Sequence, residues 1–218
     1  MSLPTPPKAV LLDFDGVIVD SVAIKARGFH YAYPEATPDQ IAAIDTYQHA
    51  HGGVSRREKF RHFEKALFGR EPTTETIELL SDRFRAAVLD KVMGCAYIAG
   101  AEDFLAATSD KTKLHLISGT PQDELRDIVR ERGLEGHFRE VIGAPTLKQA
   151  AFAQLLEADG HAPGETVAVG DSTTEYDAAC ALGIPFVAIV AEGETSPFPA
   201  GVPTLPDLKG LAALLGLR

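Results

Sequence analysis

The chain is poor in cysteine, methionine and positive charge, and it has no tryptophan. Its 218 residues include two cysteines and two methionines. Cys95 and Cys180 stand far apart, without the spacing of a metal or redox pair. They predict reduced core thiols in a cytoplasmic protein. No apolar run approaches the length of a membrane span. The opening Met1-Ser2-Leu3-Pro4-Thr5-Pro6-Pro7 lacks the apolar centre of a signal peptide and reads as an extended lead-in. Lys and Arg total 21 against 31 Asp and Glu, a formal charge of -10. That balance argues against a nucleic-acid backbone or an anionic membrane as partner. Internal repeats and low-complexity tracts are missing too. Seven histidines are scattered, and the close pair His49 and His51 reads as surface. What is ordinary is the bulk: 45% hydrophobic and 24% charged residues, enough for one domain or for a core with a modest insertion. Composition leaves monomer and dimer both open.

The chemistry begins at Asp13-Phe14-Asp15-Gly16-Val17, directly after the apolar run Ala9-Val10-Leu11-Leu12. Such a run, bounded by Gly, predicts a buried strand. Two aspartates two residues apart put their carboxylates on one side of an extended chain. They repel one another, and burying them calls for a cation or a proton. Mg²⁺ is the natural partner, since it takes one or two carboxylates together with phosphate oxygens. An Asx turn explains the same residues by backbone conformation alone, and the five residues do not decide between the two.

Three later segments favour phosphate chemistry. Leu114-His115-Leu116-Ile117 reads as a strand running into Ser118-Gly119-Thr120, where a hydroxyl and free N–H groups suit an anion. Thr120-Pro121 is expected to open a helix, with Thr as cap and Pro at its first position. Lys148 starts another helical segment, against the sign of the helix dipole there. Thr166-Val167-Ala168-Val169 predicts a strand ahead of Gly170-Asp171-Ser172-Thr173-Thr174-Glu175. Capping accounts for one of its two acids. A helix brings Glu175 back to the face of Asp171.

Together these segments resemble the haloacid dehalogenase superfamily, in its phosphatase branch. Asp13-Phe14-Asp15-Gly16-Val17 matches the family's first motif, Ser118 its second, Lys148 its third and Gly170 to Glu175 its fourth, in family order. Two positions depart from the pattern. Glu175 stands where Asp is common, which lengthens one arm toward a metal, and no Pro follows Lys148. The resemblance implies an Mg²⁺-dependent hydrolase of a small phosphate ester. In that scheme Asp13 is the nucleophile and forms an aspartyl-phosphate, while Asp15 is the general acid and base. Asp13, Asp15 (through its backbone carbonyl), Asp171 and Glu175 hold the metal. Ser118, the Gly119 N–H and Lys148 hold the phosphoryl oxygens. A phosphomutase uses the same core. A haloacid dehalogenase has no need of Asp15, and a receiver-type signalling module needs neither Asp15 nor a large insertion.

The expected architecture is α/β: a doubly wound parallel sheet with strands at 9–13, 113–117, 140–143, 166–169 and 185–190. Residues 21–95 interrupt the strand–helix alternation and read as helices alone, dividing the chain into a core of 1–20 and 96–218 and an inserted cap. Ser55-Arg56-Arg57-Glu58 is a capping-box pattern, and Ile77, Leu80, Phe84 and Val88 repeat at helical spacing. The segment 192–206 predicts a loop before a last helix at 207–217. The cap resembles that of relatives such as beta-phosphoglucomutase and phosphoglycolate phosphatase, and Gly52-Gly53-Val54-Ser55-Arg56 resembles the substrate loop of the beta-phosphoglucomutase type. Arg56 is therefore the cap's candidate substrate residue and Arg57 a solvated one, with Lys25, Arg27 and His30 as weaker candidates.

Overall fold

The structure is a computed structural model that describes residues 3–217. Six parallel strands form one sheet: β1 (Ala9–Leu12), β2 (Lys113–Pro121), β3 (Glu140–Ala144), β4 (Thr166–Gly170), β5 (Phe186–Ile189) and β6 (Thr204–Leu205). Their order is β3-β2-β1-β4-β5-β6. Every residue of β1 is buried, as a continuous apolar run in a two-faced parallel sheet requires. Leu12 lies opposite Leu116 of β2 and Val169 of β4. This register brings the exits of the three central strands side by side. The strand order reverses at β1, and ligands of open α/β sheets bind at such a point.

The core helices are α5 (Ala101–Thr108), α6 (Gln122–Glu131), α7 (Lys148–Asp159), α8 (Thr173–Leu182) and the short α9 (Leu211–Leu214). Between β1 and α5 lie α1 (Val22–Ala32), α2 (Pro38–Ala50), α3 (Arg56–Ala66) and α4 (Thr74–Gly94), with no strand among them. The spacing on α4 holds, since Ile77, Leu80, Phe84 and Val88 are all buried. Phe29 centres the insertion, 5.3 Å from the Phe60 ring and 4.8 Å from that of Phe84. These rings belong to the same apolar cluster as Val10, Leu12 and Phe14. The inserted helices thus share a continuous core with the sheet.

Several local expectations fail for identifiable reasons. The helix expected at Thr120-Pro121 opens one residue late, with Pro121 as its N-cap and Thr120 taking no part in the capping. The strand continues through Pro121, and α6 begins at Gln122, because the Thr120 hydroxyl pairs with Ser118 and Lys25 and not with the helix. Ser55 accepts from the Glu58 N–H, but the Glu58 carboxylate turns to Arg61, so the box is half formed. The stretch 192–206 contains β6, held by parallel pairing to β5, and the last helix is one turn rather than 207–217. Cys180 is exposed and Cys95 half-buried, so neither is a core thiol. Of the lead-in, Met1 and Ser2 lie outside the described residues. Leu3 packs on the core, and the Pro7 carbonyl accepts from Thr112 at 2.9 Å. No helix among the described residues is long and apolar enough to cross a membrane.

Candidate active site

The three central strand exits place their polar residues around one point. Asp13 comes directly after β1 and is 5% exposed, with its N–H donating to the Val169 carbonyl. The chain then turns sharply at Gly16, whose φ is +79°; a Cβ there would collide with the Asp171 carboxylate. The close approach of β1 and β4 at the site therefore requires glycine.

Lys148 resolves its awkward place at a helix start. Its Nζ lies 2.5 Å from Asp13 Oδ1, 2.8 Å from the Ile117 carbonyl and 2.8 Å from Glu175 Oε1. Burial works against the ammonium, but Asp13 and Glu175 hold its pKa above the usual lysine range. Glu175 does two jobs with two oxygens. Its Oε2 accepts from the N–H and hydroxyl of Ser172, capping α8. Its Oε1 is buried, and the contact with Lys148 is not aligned as a hydrogen bond.

Asp15 sits in a different pocket of charge. Its carboxylate accepts from Ser21 at 2.5 Å, Lys25 at 2.6 Å and Ser118 at 3.1 Å. Burial pushes its pKa up, but Lys25 and the hydroxyls outweigh that and hold it below the usual range. Asp13 behaves oppositely. Burial, only partly countered by Lys148 and reinforced by Glu175 and Asp15, raises it to about 7. Asp171 is raised well above an ordinary carboxylate, by burial and then by Asp13 and Glu175.

Asp13, Asp171 and Glu175 each present an oxygen, and these atoms lie within 4.8 Å of one another. Three convergent carboxylates, two of them pushed toward the neutral form and the third with an unaligned buried oxygen, fit a hard divalent cation with oxygen ligands.

Comparison with known sequences agrees with the geometry. The profile of the family described as haloacid dehalogenase-like hydrolase matches residues 10–189. The chain belongs to this family. It is a hydrolase by that membership. Phosphoglycolate phosphatase of Rhodospirillum rubrum is 26% identical over 189 residues, 83% of this chain and 78% of that one. The enzyme of the same name from Synechococcus elongatus is 25% identical, over 84% and 83% of the two chains. CbbY from Rhodobacter sphaeroides, solved in complex with phosphate, shares the fold with a TM-score of 0.73 at 18% identity, covering 95% and 99% of the two chains.

The structure brings together all the core residues expected from the four motifs of this haloacid dehalogenase-like hydrolase: Asp13, Asp15, Ser118, Gly119, Lys148, Asp171 and Glu175. The insertion closes over them and leaves a cavity of about 780 Å³ that Asp13, Asp15, Asp171, Lys25, Arg56 and Lys59 help to line. The loop at Gly52 and Gly53 seats directly on the core. A Cβ on Gly53, at φ +75°, would meet Glu175 Oε1 at 2.5 Å, and one on Gly119 would meet the Gly53 carbonyl at 2.7 Å. The loop glycines serve close approach in the fold.

Arg56 reaches the cavity wall, but both terminal nitrogens face Glu124 of α6, at 2.9 and 2.7 Å. Arg57 is exposed, as expected, and so is Arg27; His30 pairs with Asp45. Lys25, a weak candidate in the sequence, proves central. Its only sequence signal is a position one helical turn after Ser21. Lys59 carries no sequence signal at all, since a lysine closing the charged run Arg56-Arg57-Glu58 looks like ordinary surface.

Proposed function

We propose that this protein is an Mg²⁺-dependent phosphomonoester hydrolase working through an aspartyl-phosphate on Asp13. The observation that carries this reading is the division of labour between two neighbouring aspartates. Asp13 shares its pocket with Lys148 and two metal-competent carboxylates, whereas Asp15 is held among Ser21, Lys25 and Ser118. Environments that push two carboxyl groups apart in pKa mark different roles. Asp13 attacks phosphorus, and the P–O ester bond breaks. The leaving alkoxide takes a proton from Asp15. Water, giving a proton back to Asp15, then attacks phosphorus, and the bond from phosphorus to the Asp13 oxygen breaks to release inorganic phosphate and the free carboxylate. Asp15 is ionised in the present arrangement, the form the second step uses. A phosphoryl dianion beside it raises its pKa for the first. Ser118, the Gly119 N–H and Lys148 hold the equatorial oxygens. When bound by Asp13, Asp171, Glu175 and the Asp15 backbone carbonyl, Mg²⁺ neutralises phosphoryl charge in this acidic site.

The names of the relatives support a small phosphorylated metabolite as substrate. We assign the core to residues 1–20 and 96–218 and the cap to 21–95, and place the protein in the cytoplasm. The phosphomutase alternative asks for a second cationic phosphate site in the cap. Arg56 is the residue best suited to supply it, and its commitment to Glu124 favours hydrolysis. The test is phosphate release from a panel of small phosphomonoesters with Mg²⁺. Conversion of a hexose 1-phosphate to the 6-phosphate faster than phosphate release overturns the assignment.

Arg56 joins a cap helix to a core helix, with 10% and 5% of the Arg56 and Glu124 side chains exposed. Arg56→Ala leaves the Glu124 carboxylate with Arg85 alone, 3.6 Å away. The expected loss is about 2–4 kcal/mol, the scale of a broken buried pair. Thermal unfolding should fall by roughly 5–10 °C, together with a rise in KM for every substrate as the cap loosens. An unchanged Tm with KM raised for one substrate alone returns Arg56 to a substrate-binding role.

A further inference from the structure

Among the described residues, Lys59 is a buried cation without a counter-ion. It is 3% exposed and lines the cavity. Its Nζ donates to a neutral acceptor, Gln48 Oε1, at 2.5 Å, and lies 5.7 Å from the centre of the Phe29 ring. An ammonium has three N–H donors, so two have no protein acceptor here. Burial lowers its pKa to about 8, with help from Lys25, against the pull of Asp15, Glu175 and Asp171. It is still mostly protonated at neutral pH.

The other lysine and arginine side chains at the cavity are already matched. Lys25 holds Asp15, Lys148 holds Asp13, His30 holds Asp45, and Arg56 holds Glu124. A buried charge without a partner is costly, and folding alone gives no reason to keep one facing a cavity. Binding an anion there does.

We propose that Lys59 is the specificity-determining residue of this site and binds a carboxylate on the leaving group of the phosphate ester. The inference rests on the phosphomonoesterase reading and names its substrate class, a small phosphorylated acid. A carboxylate fits better than a second phosphate. One ammonium balances a monoanion, whereas a dianion calls for a second uncommitted cation, and Arg56 and Lys25 are both engaged. The two remaining N–H donors of Lys59 suit carboxylate oxygens. The carboxylates of the phosphoryl site, which line the same cavity, repel a substrate carboxylate and so favour its placement at Lys59, with the phosphate on the metal side.

The test compares kcat/KM for 2-phosphoglycolate with that for ethyl phosphate, which lacks the carboxylate. Wild-type protein should prefer the acid, and Lys59→Met should lower the ratio of the two values on the order of 100-fold, the scale of a lost buried charge pair. Lys59→Arg should keep part of the preference. Lys59→Gln, which also removes the charge, should lower the ratio to a similar extent. The Tm of Lys59→Met should hold or rise by a few degrees, because an unpaired buried charge is removed; a fall of many degrees assigns Lys59 to cap folding and overturns the proposal. So does an unchanged ratio, or a wild-type preference for glucose 1,6-bisphosphate that Lys59→Met abolishes. Failure of wild-type protein to hydrolyse either ester, or p-nitrophenyl phosphate, defeats the phosphatase reading itself and is distinct from these outcomes.

Discussion

Replacing Asp13 with Asn is expected to abolish turnover while leaving the fold intact. The exchange removes one charge and almost no volume. Asp13 is buried and already displaced toward its neutral form, with a pKa near 7, so a neutral amide fits the site at little cost. Lys148 keeps the Ile117 carbonyl and Glu175 as partners. The variant should therefore unfold within a few degrees of the parent. Its kcat should fall on the order of 10⁵-fold, the scale seen when an enzyme loses its nucleophile. Mass spectrometry of acid-quenched wild-type protein should find one added phosphoryl group on the peptide containing Asp13, and none on the Asn variant. Activity within tenfold of wild type, after contamination is excluded, removes Asp13 from the nucleophile's role.

The catalytic half of the site is legible in the sequence because it lies at strand ends. Buried strands announce themselves as apolar runs, and in a parallel sheet the residues just past them face one edge. Asp13, Ser118 and Asp171 group together on that ground alone. Lys148 and Glu175 join them by motif order, and their charge explains the departure from local helix preference in one case and the surplus acid in the other. The cap half is obscure for a different reason. Its residues sit on amphipathic helices, where a cation facing a cavity and a cation facing solvent have the same spacing. Lys25 and Lys59 differ from Arg27 and Arg57 only in the direction that packing gives them. Arg56 does lie near the cleft, as its loop suggests, but its partner Glu124 is 68 positions away in sequence, beyond the reach of local pattern. The short β6 is invisible because two residues carry no periodicity, and its strand character comes from pairing with β5. Thr-Pro is a good helix opening by local preference; at Thr120 a hydroxyl pairing with Ser118 and Lys25 delays it by one residue.

Removing the metal should silence the protein and change how its stability depends on pH. A chelator should abolish phosphate release, and Mg²⁺ should restore it. Asp171→Ala should weaken Mg²⁺ binding more than Glu175→Ala. Asp171 stands at the rigid end of β4 with its carboxylate turned into the cluster, whereas Glu175 spends one oxygen on capping α8. The sign of the pH effect comes from the raised carboxyls. Asp13 titrates near 7 in the folded, metal-free protein, and Asp171 lies well above its ordinary value. Between about pH 4 and 7 the folded state then holds protons that the unfolded chain has released. Stability of the metal-free protein should fall as pH rises through that window. Mg²⁺ takes the place of those protons, so its affinity should weaken as pH drops below about 7, and binding should release protons there. Titration calorimetry in two buffers of different ionisation heat measures that release, and thermal unfolding with and without chelator measures the stability slope. Full activity in chelator removes the metal from the mechanism and restores the dehalogenase alternative, in which an aspartate nucleophile works without one. A metal-free Tm that climbs steadily from pH 5 to 8 contradicts the charge balance assigned to Asp13 and Asp171, because it requires both carboxyls to be ionised in the folded state.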